Sequence, residues 1–354
     1  MPGRAHTEIP EILLEYLIVT SRLRRTLLPT LLVASLALAG CGKDDAKSDP
    51  DKPEQTLEDG TVISATWPLT GVEATGDQDV ALKRPILVTK VDNTSSAAPQ
   101  LGLGEADLVV EELVEGGTTR LAVFYYSQLP DTVGPVRSMR ASDLSIVPKG
   151  AQIVTSGAAP VTIKRIKGAG YTFHGEGAKG FFRDNGRSAP YNLFTRLRET
   201  ASLAETDEAQ RPDDYLPWGE DGDAIKGRKA TGVDADFGNH TTSWRYDGKR
   251  YVNDNSFAAK GDQFPTDTVL VMRVKVGDAG YTDPSGAPVP ETTFEGKGEA
   301  MLFHGGRVVT GTWKKKGLDG AISLSMKQGD LTVPPGKVWI ELVPAATGNV
   351  TVQR

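Results

Sequence analysis

The sequence predicts a mixed α+β protein in which an α/β N-terminal domain is followed by a mostly β C-terminal domain. Strand-like and short helical segments alternate in the first half, whereas the apolar segments of the second half all have strand length. The 39 glycines and 22 prolines among 354 residues are typical of a strand-rich fold with many turns. A hydrophobic share of 38% is sufficient for a sizeable core and excludes general disorder.

The α/β domain is predicted over residues 67–204. Strands are predicted over residues 85–91, 108–113, 120–126 and 152–155. The third of these is continuously apolar, which indicates a central strand buried on both faces. Three helices complete the domain. The first follows a cap at Ser142 or Asp143, the second begins at Pro160 and ends before Gly168, and the third covers residues 192–203.

A polar segment rich in glycine and aspartate, residues 205–238, predicts a linker or a surface insertion because it also contains Pro212 and Pro217. The β-rich C-terminal domain is predicted over residues 239–354. Its strands are expected at residues 243–246, 249–252, 268–276, 299–303, 307–313 and 338–343. The dipeptide Asp247-Gly248 predicts a hairpin between the first two.

The N-terminus predicts a bacterial lipoprotein. Arginines at 22, 24 and 25 precede an apolar stretch, and Leu38-Ala39-Gly40-Cys41 matches a lipobox, so residues 1–40 are predicted to be a signal peptide. Lipid on the Cys41 thiol, and usually on its new α-amine, would anchor the mature chain to the extracytoplasmic face of the cell membrane. Residues 41–66 are polar and predict a flexible tether. The alternative is a structural cysteine after an N-terminal anchor helix.

Composition excludes several classes of site. Cys41 is the only cysteine, which excludes a disulfide framework and a metal site made of several thiolates. The four histidines do not have metal-ligand spacing, and no phosphate-binding glycine loop occurs, so neither a metal nor a cofactor is expected. The net charge of −6 disfavours nucleic acid as a partner.

Many separated motifs resemble the YerB-type lipoprotein family, whose function is unknown. In the first half the motifs are Arg84-Pro85-Ile86-Leu87-Val88, Val91-Asp92-Asn93, Gly134-Pro135-Val136-Arg137-Ser138, Phe182-Arg183-Asp184 and Arg187-Ser188-Ala189-Pro190. In the second half they are Gly311-Thr312-Trp313-Lys314 and Trp339-Ile340-Glu341. The resemblance implies a surface lipoprotein with two domains and brings no established reaction. Tyr191 stands where the family pattern has histidine, so no catalytic role is assigned there.

Two arginine-bearing loops predict a binding cleft for an anion or a glycan. The first carries Arg137 and Arg140 after the Gly134-Pro135 turn, and the second carries Arg183 and Arg187 around Asp184. Guanidinium groups bind carboxylate, phosphate or sugar hydroxyls through paired hydrogen bonds. The candidate ligand-binding residues are Asp92, Asn93, Arg120, Arg137, Ser138, Arg140, Arg183, Asp184, Arg187 and Asn192. In the alternative interpretation, Arg137 and Arg183 pair internally with Asp92, Asp107, Glu111 or Glu115.

Carboxylates near the same loops leave a second function open. Asp92, Glu111 and Glu115 are the candidate catalytic residues of an envelope hydrolase that would cleave a glycan by acid–base chemistry. The favoured hypothesis is a lipid-anchored protein that binds a cell-wall glycan or a membrane-protein partner through the loops of the first domain. A third possibility is an interaction module that docks a membrane enzyme through the β domain.

Overall fold

The computed structural model describes residues 55–56, 62–63, 66–74, 83–205, 210–220, 222 and 225–354. The predicted signal peptide and Cys41 lie outside the described residues, as does most of the predicted tether. Within the tether, two short strands pair in antiparallel fashion, β1 (Gln55–Thr56) and β2 (Val62–Ile63).

The remaining described residues form mostly strands and a few short helices. The strands are β3 (Leu87–Asn93), β4 (Leu108–Leu113), β5 (Thr119–Tyr125), β6 (Gln152–Val154), β7 (Thr172–His174), β8 (Phe181–Arg183), β9 (Leu193–Thr195), β10 (Arg228–Lys229), β11 (Gly232–Asp236), β12 (Thr241–Tyr246), β13 (Tyr251–Asn253), β14 (Thr268–Thr282), β15 (Pro288–Thr293), β16 (Gly296–His304), β17 (Arg307–Lys315), β18 (Ile322–Met326), β19 (Gly329–Asp330), β20 (Val338–Pro344) and β21 (Asn349–Gln353). The α-helices are α1 (Asp143–Ile146), α2 (Pro160–Gly168) and α3 (Leu197–Ala201), and 3₁₀ turns cover Ser95–Ala97, Leu103–Glu105 and Glu115–Gly117.

One large mixed sheet contains strands from both halves of the chain. Its order is β19-β18-β17-β16-β14-β20-β4-β5-β3-β6-β7, with β10 against β17 and β15 against β14. The pairs β14–β20, β20–β4, β3–β6 and β6–β7 are parallel, and the other pairs are antiparallel. The β4, β5 and β3 strands are almost completely buried, which is why their sequences are so apolar.

Strand β20 joins the two halves. It lies between β14 of the second half and β4 of the first, and its register with β4 places Glu341 beside Glu111. The two predicted domains therefore share one sheet, and the described residues belong to one compact unit.

The large sheet has two buried faces because side chains alternate along each strand. On β4, Leu108, Val110 and Glu112 point to what we call the first face, and Val109 and Glu111 point to the second face. A smaller sheet of order β13-β12-β11-β21 covers the second face. Its side chains, Val233, Ala235 and Trp244 among them, share a core with Val109.

A long hairpin formed by β14 and β15 holds the helices against the first face. The backbone N–H groups of Thr292 and Phe294 donate to the hydroxyls of Ser142 and Ser145 at α1, at 2.9 and 3.2 Å. On α2, Arg165 makes two 2.7 Å hydrogen bonds to the Glu291 carboxylate. The second half of the chain thus fixes the position of helices that belong to the first.

The structure is mostly β and has less helix than predicted for the first domain. Helix α2 confirms the helix predicted at Pro160. The helix predicted over residues 192–203 is wrong in its first part, where Leu193–Thr195 form β9. These three residues are buried and pair with β8, and this tertiary burial overrides the local helical pattern. The segment predicted as a linker, residues 205–238, contributes β11, an inner strand of the smaller sheet.

Candidate functional site

Three of the ten predicted binding residues, Asp92, Asn93 and Arg120, lie where β3 ends and β5 begins. Asp92 and Arg120 are directly paired across β3 and β5, and both point to the first face. The neighbouring Asn93 points to the second face, where its amide donates to Glu111 and Thr119 at 3.0 and 2.9 Å. The sheet therefore separates Asn93 from the other candidates, and the predicted set is divided between two clusters.

Arg137 is held against Asp92 at the edge of the first face. Its Nε lies 2.7 Å from Asp92 Oδ2, and its guanidinium stacks 5.5 Å from the centre of the Tyr191 ring. The backbone reaches this position through Gly134, which has a φ of +155°. A Cβ at this residue would lie 2.6 Å from the Phe194 ring, too close for any side chain. Asp92 also accepts 3.0 and 2.6 Å hydrogen bonds from the backbone and hydroxyl of Thr94, so its carboxylate is held in place.

Glu115 binds two arginines. It accepts hydrogen bonds from both Nε and a terminal nitrogen of Arg140, and Arg120 lies 3.4 Å away. Burial raises the pKa of Glu115, but the Arg140 hydrogen bonds and the two positive charges outweigh it and lower the pKa to about 2. Burial and the nearby Arg140 lower the pKa of Arg120 to about 10. Glu115 is therefore an anion at neutral pH.

Beneath these arginines lies a buried ion cluster that the sequence analysis missed. Lys90 Nζ lies 2.7 Å from Glu112 Oε1 and 2.7 Å from Asp143 Oδ1, and all three side chains are fully buried. Burial lowers the pKa of Lys90, but its two carboxylate partners outweigh this and raise it. Asp143 also accepts a 2.7 Å hydrogen bond from the Arg140 backbone, so the cluster supports the loop above it. The signals in the sequence were charged residues inside the predicted strands, Lys90 and Glu112, and the candidate helix cap at Asp143.

The second arginine loop is also paired internally. Arg183 binds Glu176 at 2.6 and 2.7 Å and donates to Asn192 Oδ1 at 2.6 Å. Arg187 lies 3.3 Å from Asp184 and donates to the carbonyls of Ala97 and Pro99, at 3.1 and 2.8 Å. The second loop contacts the first at Arg137, whose Nη1 lies 3.5 Å from the carbonyl oxygen of Pro190 in the second loop. The two predicted loops do meet, and their arginines bind mainly to the protein itself.

A second polar cluster occupies the second face. Glu111 and Glu341 lie side by side on β4 and β20, and both are fully buried. The Glu111 carboxylate accepts hydrogen bonds from Asn93 (3.0 Å), Thr242 (2.9 and 3.0 Å) and the Trp339 indole (3.2 Å). Glu341 Oε1 accepts a 2.7 Å hydrogen bond from the Trp244 indole.

The surroundings shift the pKa values of these two carboxyl groups in opposite directions. Burial and the charge of Glu111 raise the pKa of Glu341 well above its ordinary value, so Glu341 is neutral. Burial raises the pKa of Glu111 too, but His240, 3.2 Å away, outweighs it and lowers the pKa. Burial lowers the pKa of His240, while the hydrogen bond and charge of Glu111 raise it above its ordinary value. Both shifts favour an ion pair between Glu111 and His240, and the raised pKa of Glu341 favours the neutral form of its carboxyl group.

The predicted acid–base residues do not line an open cleft. Glu111 is enclosed, Glu115 is held as an anion by Arg140, and Asp92 is bound to Arg137 and is 3% exposed. Among the residues that the structure describes, no group of three or more His, Cys, Asp or Glu side chains could hold a metal ion. None of the described helices is long and apolar enough to cross a membrane.

If Glu341 is neutral and Glu111 is charged, replacing each by glutamine should lower the unfolding free energy by different amounts. Glu341→Gln keeps a neutral group that can accept from Trp244 and donate to Glu111, so we expect a loss of no more than about 1 kcal/mol in unfolding free energy. Glu111→Gln places an amide among hydrogen-bond donors and removes the partner of His240, which should cost about 3 kcal/mol. Urea unfolding at pH 7 measures both. Equal losses in the two variants, or a larger loss in Glu341→Gln, would contradict the assignment.

The Glu115 pairing predicts a specific pH dependence. Because its pKa is lowered to about 2 on folding, its contribution to stability is complete above the unfolded pKa of about 4.5 and is lost as pH falls towards 2. We expect Glu115→Gln to be less stable than the native chain by about 2 kcal/mol at pH 6, and this difference to shrink at pH 3. Glu199→Gln, at an exposed ion pair of 3.9 Å, is the matched control and should show no such change. A difference that stays constant with pH would exclude the ionised pairing.

Comparison with known proteins places the chain in a family. A family described as "Protein of unknown function (DUF3048)" matches with its N-terminal domain over residues 69–210 and its C-terminal domain over residues 233–340. YerB of Bacillus subtilis (strain 168), named as a candidate lipoprotein, is 30% identical over 321 residues, which are 87% of this chain and 91% of YerB. The crystal structure of YerB covers 81% of this chain and 100% of its own, with a TM-score of 0.67 and 25% identity. The chain therefore belongs to the DUF3048 family of YerB-type proteins.

Proposed function

We propose that this protein is a lipoprotein anchored by Cys41 to the extracytoplasmic face of the cell membrane, where it binds an envelope component. The lipobox at residues 38–41 and the name of the relative YerB support the anchor. Two or more acyl chains hold a protein stably on a bilayer, whereas one does so only marginally. The polar segment after Cys41 would place the folded part away from the lipid surface.

Arg137 is the residue on which the binding proposal depends. Arg140, Arg183 and Arg187 direct the donors of their guanidinium groups to carboxylates and carbonyls of the protein, as described above. On Arg137, Nε is paired with Asp92, while the second terminal nitrogen has no acceptor among the described residues. The Arg137 side chain is 23% exposed, so this free edge can meet a ligand.

The surroundings of Arg137 favour a polar ligand with hydroxyl or carboxylate groups. Stacking on Tyr191 and pairing with Asp92 fix the guanidinium, so little conformational entropy is lost when it binds. The neighbouring hydroxyls of Ser138 and Ser156 lie 3.2 Å apart and are partly exposed. Envelope glycans carry both kinds of group, and we propose them ahead of a protein partner.

Binding is supported better than hydrolysis. Acid–base cleavage of a glycan requires two carboxyl groups on either side of the scissile bond, one of them protonated. Glu341, whose pKa is raised well above its ordinary value, lies in the enclosed second face with Glu111, on the opposite side of the sheet from Arg137. Asp92 forms an ion pair with Arg137, and Glu115 forms one with Arg140.

The anchor is tested by Cys41→Ala in the full-length chain. We expect the native protein to be recovered in the membrane fraction and to carry label from a radioactive fatty acid, because acylation of the thiol is the proposed anchor. The variant should carry no label and should keep its apolar segment uncleaved. Labelling that persists in Cys41→Ala would show that the lipid, if present, is attached elsewhere.

The binding site is tested by Arg137→Ala in the detergent-purified full-length protein. Sedimentation with purified cell-wall glycan should show at least a tenfold loss of affinity, since a charge-assisted pair of hydrogen bonds is removed. Arg137→Lys should be nearly as weak because lysine lacks the planar fork. Arg245→Ala is the matched control, since Arg245 is an exposed, ion-paired arginine of the smaller sheet. Equal binding by the native chain and Arg137→Ala would refute the site.

A further inference from the structure

Three guanidinium groups share two carboxylates at the Arg137 surface. Arg137 lies against Asp92, and Glu115 is bound by Arg140 and, at 3.4 Å, by Arg120. All five side chains are less than a quarter exposed, so water screens their charges only in part. This layer of arginines therefore carries one positive charge that neither carboxylate balances.

The buried lysine cluster below the layer does not supply the missing negative charge. Lys90 forms ion pairs with both Glu112 and Asp143, so the cluster would be negative only if both carboxyl groups were ionised. Burial, together with the charge of Asp143, raises the pKa of Glu112 in spite of Lys90. This shift favours the neutral form of Glu112, and the cluster is then balanced.

Arg120 is the arginine whose charge is compensated least. Its side chain is 5% exposed, and its Nε is buried without a hydrogen-bond partner among the described residues. Its terminal nitrogens lie 3.1 Å from the Ser138 carbonyl and 3.4 Å from Glu115, and the second contact is long for a hydrogen bond. Burial and the charges of Arg140 and Arg137 lower the pKa of Arg120 to about 10. An anion bound nearby would stabilise the charge that these surroundings disfavour.

The surface above Arg120 offers donors, whereas its carboxylate acceptors are already engaged. The donors are the second terminal nitrogen of Arg137 and the hydroxyls of Ser138 and Ser156, which lie 3.2 Å apart. Asp92 accepts from Thr94 with one oxygen and lies against Arg137 with the other. A hydroxyl of a neutral sugar has a proton to donate as well as lone pairs, whereas an ionised carboxylate only accepts. The donor-rich surface therefore suits an anion better than a neutral hydroxyl.

We propose that the ligand of this surface carries an oxyanion, a carboxylate or phosphate group, which binds to Arg137 and to the hydroxyls of Ser138 and Ser156. Guanidinium groups make charge-assisted hydrogen bonds to both kinds of oxyanion. Arg120 is buried, so it acts on the oxyanion through its charge and not by contact. This inference rests on the proposed function and narrows it from envelope glycans in general to anionic ones.

Chemical modification of the glycan tests the inference without any change to the protein. Sedimentation of the detergent-purified full-length protein with purified cell-wall glycan gives the reference affinity. Carbodiimide and methylamine convert the carboxylates of one sample into neutral amides, and hydrofluoric acid removes the phosphates of another. We expect the treatment that removes the recognised group to weaken the affinity at least tenfold, since charge-assisted hydrogen bonds are lost. Mock-treated glycan is the control, and the two treatments distinguish a carboxylate from a phosphate.

Salt and serine variants provide a second test. An increase in sodium chloride from about 0.05 M to about 0.5 M should weaken binding at least fivefold, because salt screens the attraction between charges. Replacement of both serines, Ser138→Ala with Ser156→Ala, should weaken it at least threefold because two donors are removed. Ser323→Ala, at an exposed serine of β18, is the matched control and should bind as the native chain does.

Unchanged affinity after both treatments would overturn the inference while the proposed function stands, since neutral groups would then be sufficient. Affinity that does not respond to salt would overturn it too. If the untreated glycan does not sediment with the protein, the proposed function fails and the oxyanion is tested alone, by NMR titration with glucuronate, glucose 6-phosphate and glucose. A tenfold preference for either acid over glucose would support the oxyanion site, whereas equal binding, or no binding up to about 50 mM, would refute it.

Discussion

The carboxyl pair of Glu111 and Glu341 is the interaction on which the arrangement of the two halves depends. It forms only if β20 lies parallel to β4 in the observed register, because a shift by one residue would turn one of the carboxyl groups to the other face. Two buried carboxyl groups are tolerated because one keeps its proton and the other is surrounded by donors. Those donors come from β3, β12 and β20, so the pair ties together the large sheet and the smaller one.

On the first face, buried charged groups are stabilised by ion pairs rather than by a carboxyl group with a raised pKa. Lys90 between Glu112 and Asp143 has no access to water, and removal of any partner would leave an uncompensated buried charge. The cluster supports the backbone at Arg140, which in turn binds Glu115. Most of the charge of the predicted arginine site therefore serves the structure, as the alternative interpretation of internal pairing predicts. The binding interpretation stays a proposal and depends on Arg137.

Local patterns predict the strands well and the clusters poorly. Segments such as 120–126 are apolar over their full length, and burial on both faces is the physical reason that they form central strands. Leu193–Thr195 form a strand instead of the predicted helix because they pair with β8 and because Val133, which is distant in sequence, pairs with Thr195. The contact between Glu111 and Trp339 spans 228 positions, and only the register of β20 with β4 brings them together. Lys90 and Glu341 were each visible as one charged residue in an apolar strand, and Glu112 as one of two adjacent glutamates. Their partners depend on strand order, which no local pattern encodes.

The separation of the two clusters by the sheet bears on the choice between binding and catalysis. Glu341, whose pKa is raised well above its ordinary value, and Arg137, the proposed binding residue, lie on opposite faces of the sheet. A single substrate could not contact both without disruption of the central strands, whose side chains are completely buried. The raised pKa of Glu341 instead lowers the cost of burying two carboxyl groups, which accept hydrogen bonds from the indoles of Trp244 and Trp339. This separation of the carboxyl pair from Arg137 by the sheet favours the proposed binding function over hydrolysis.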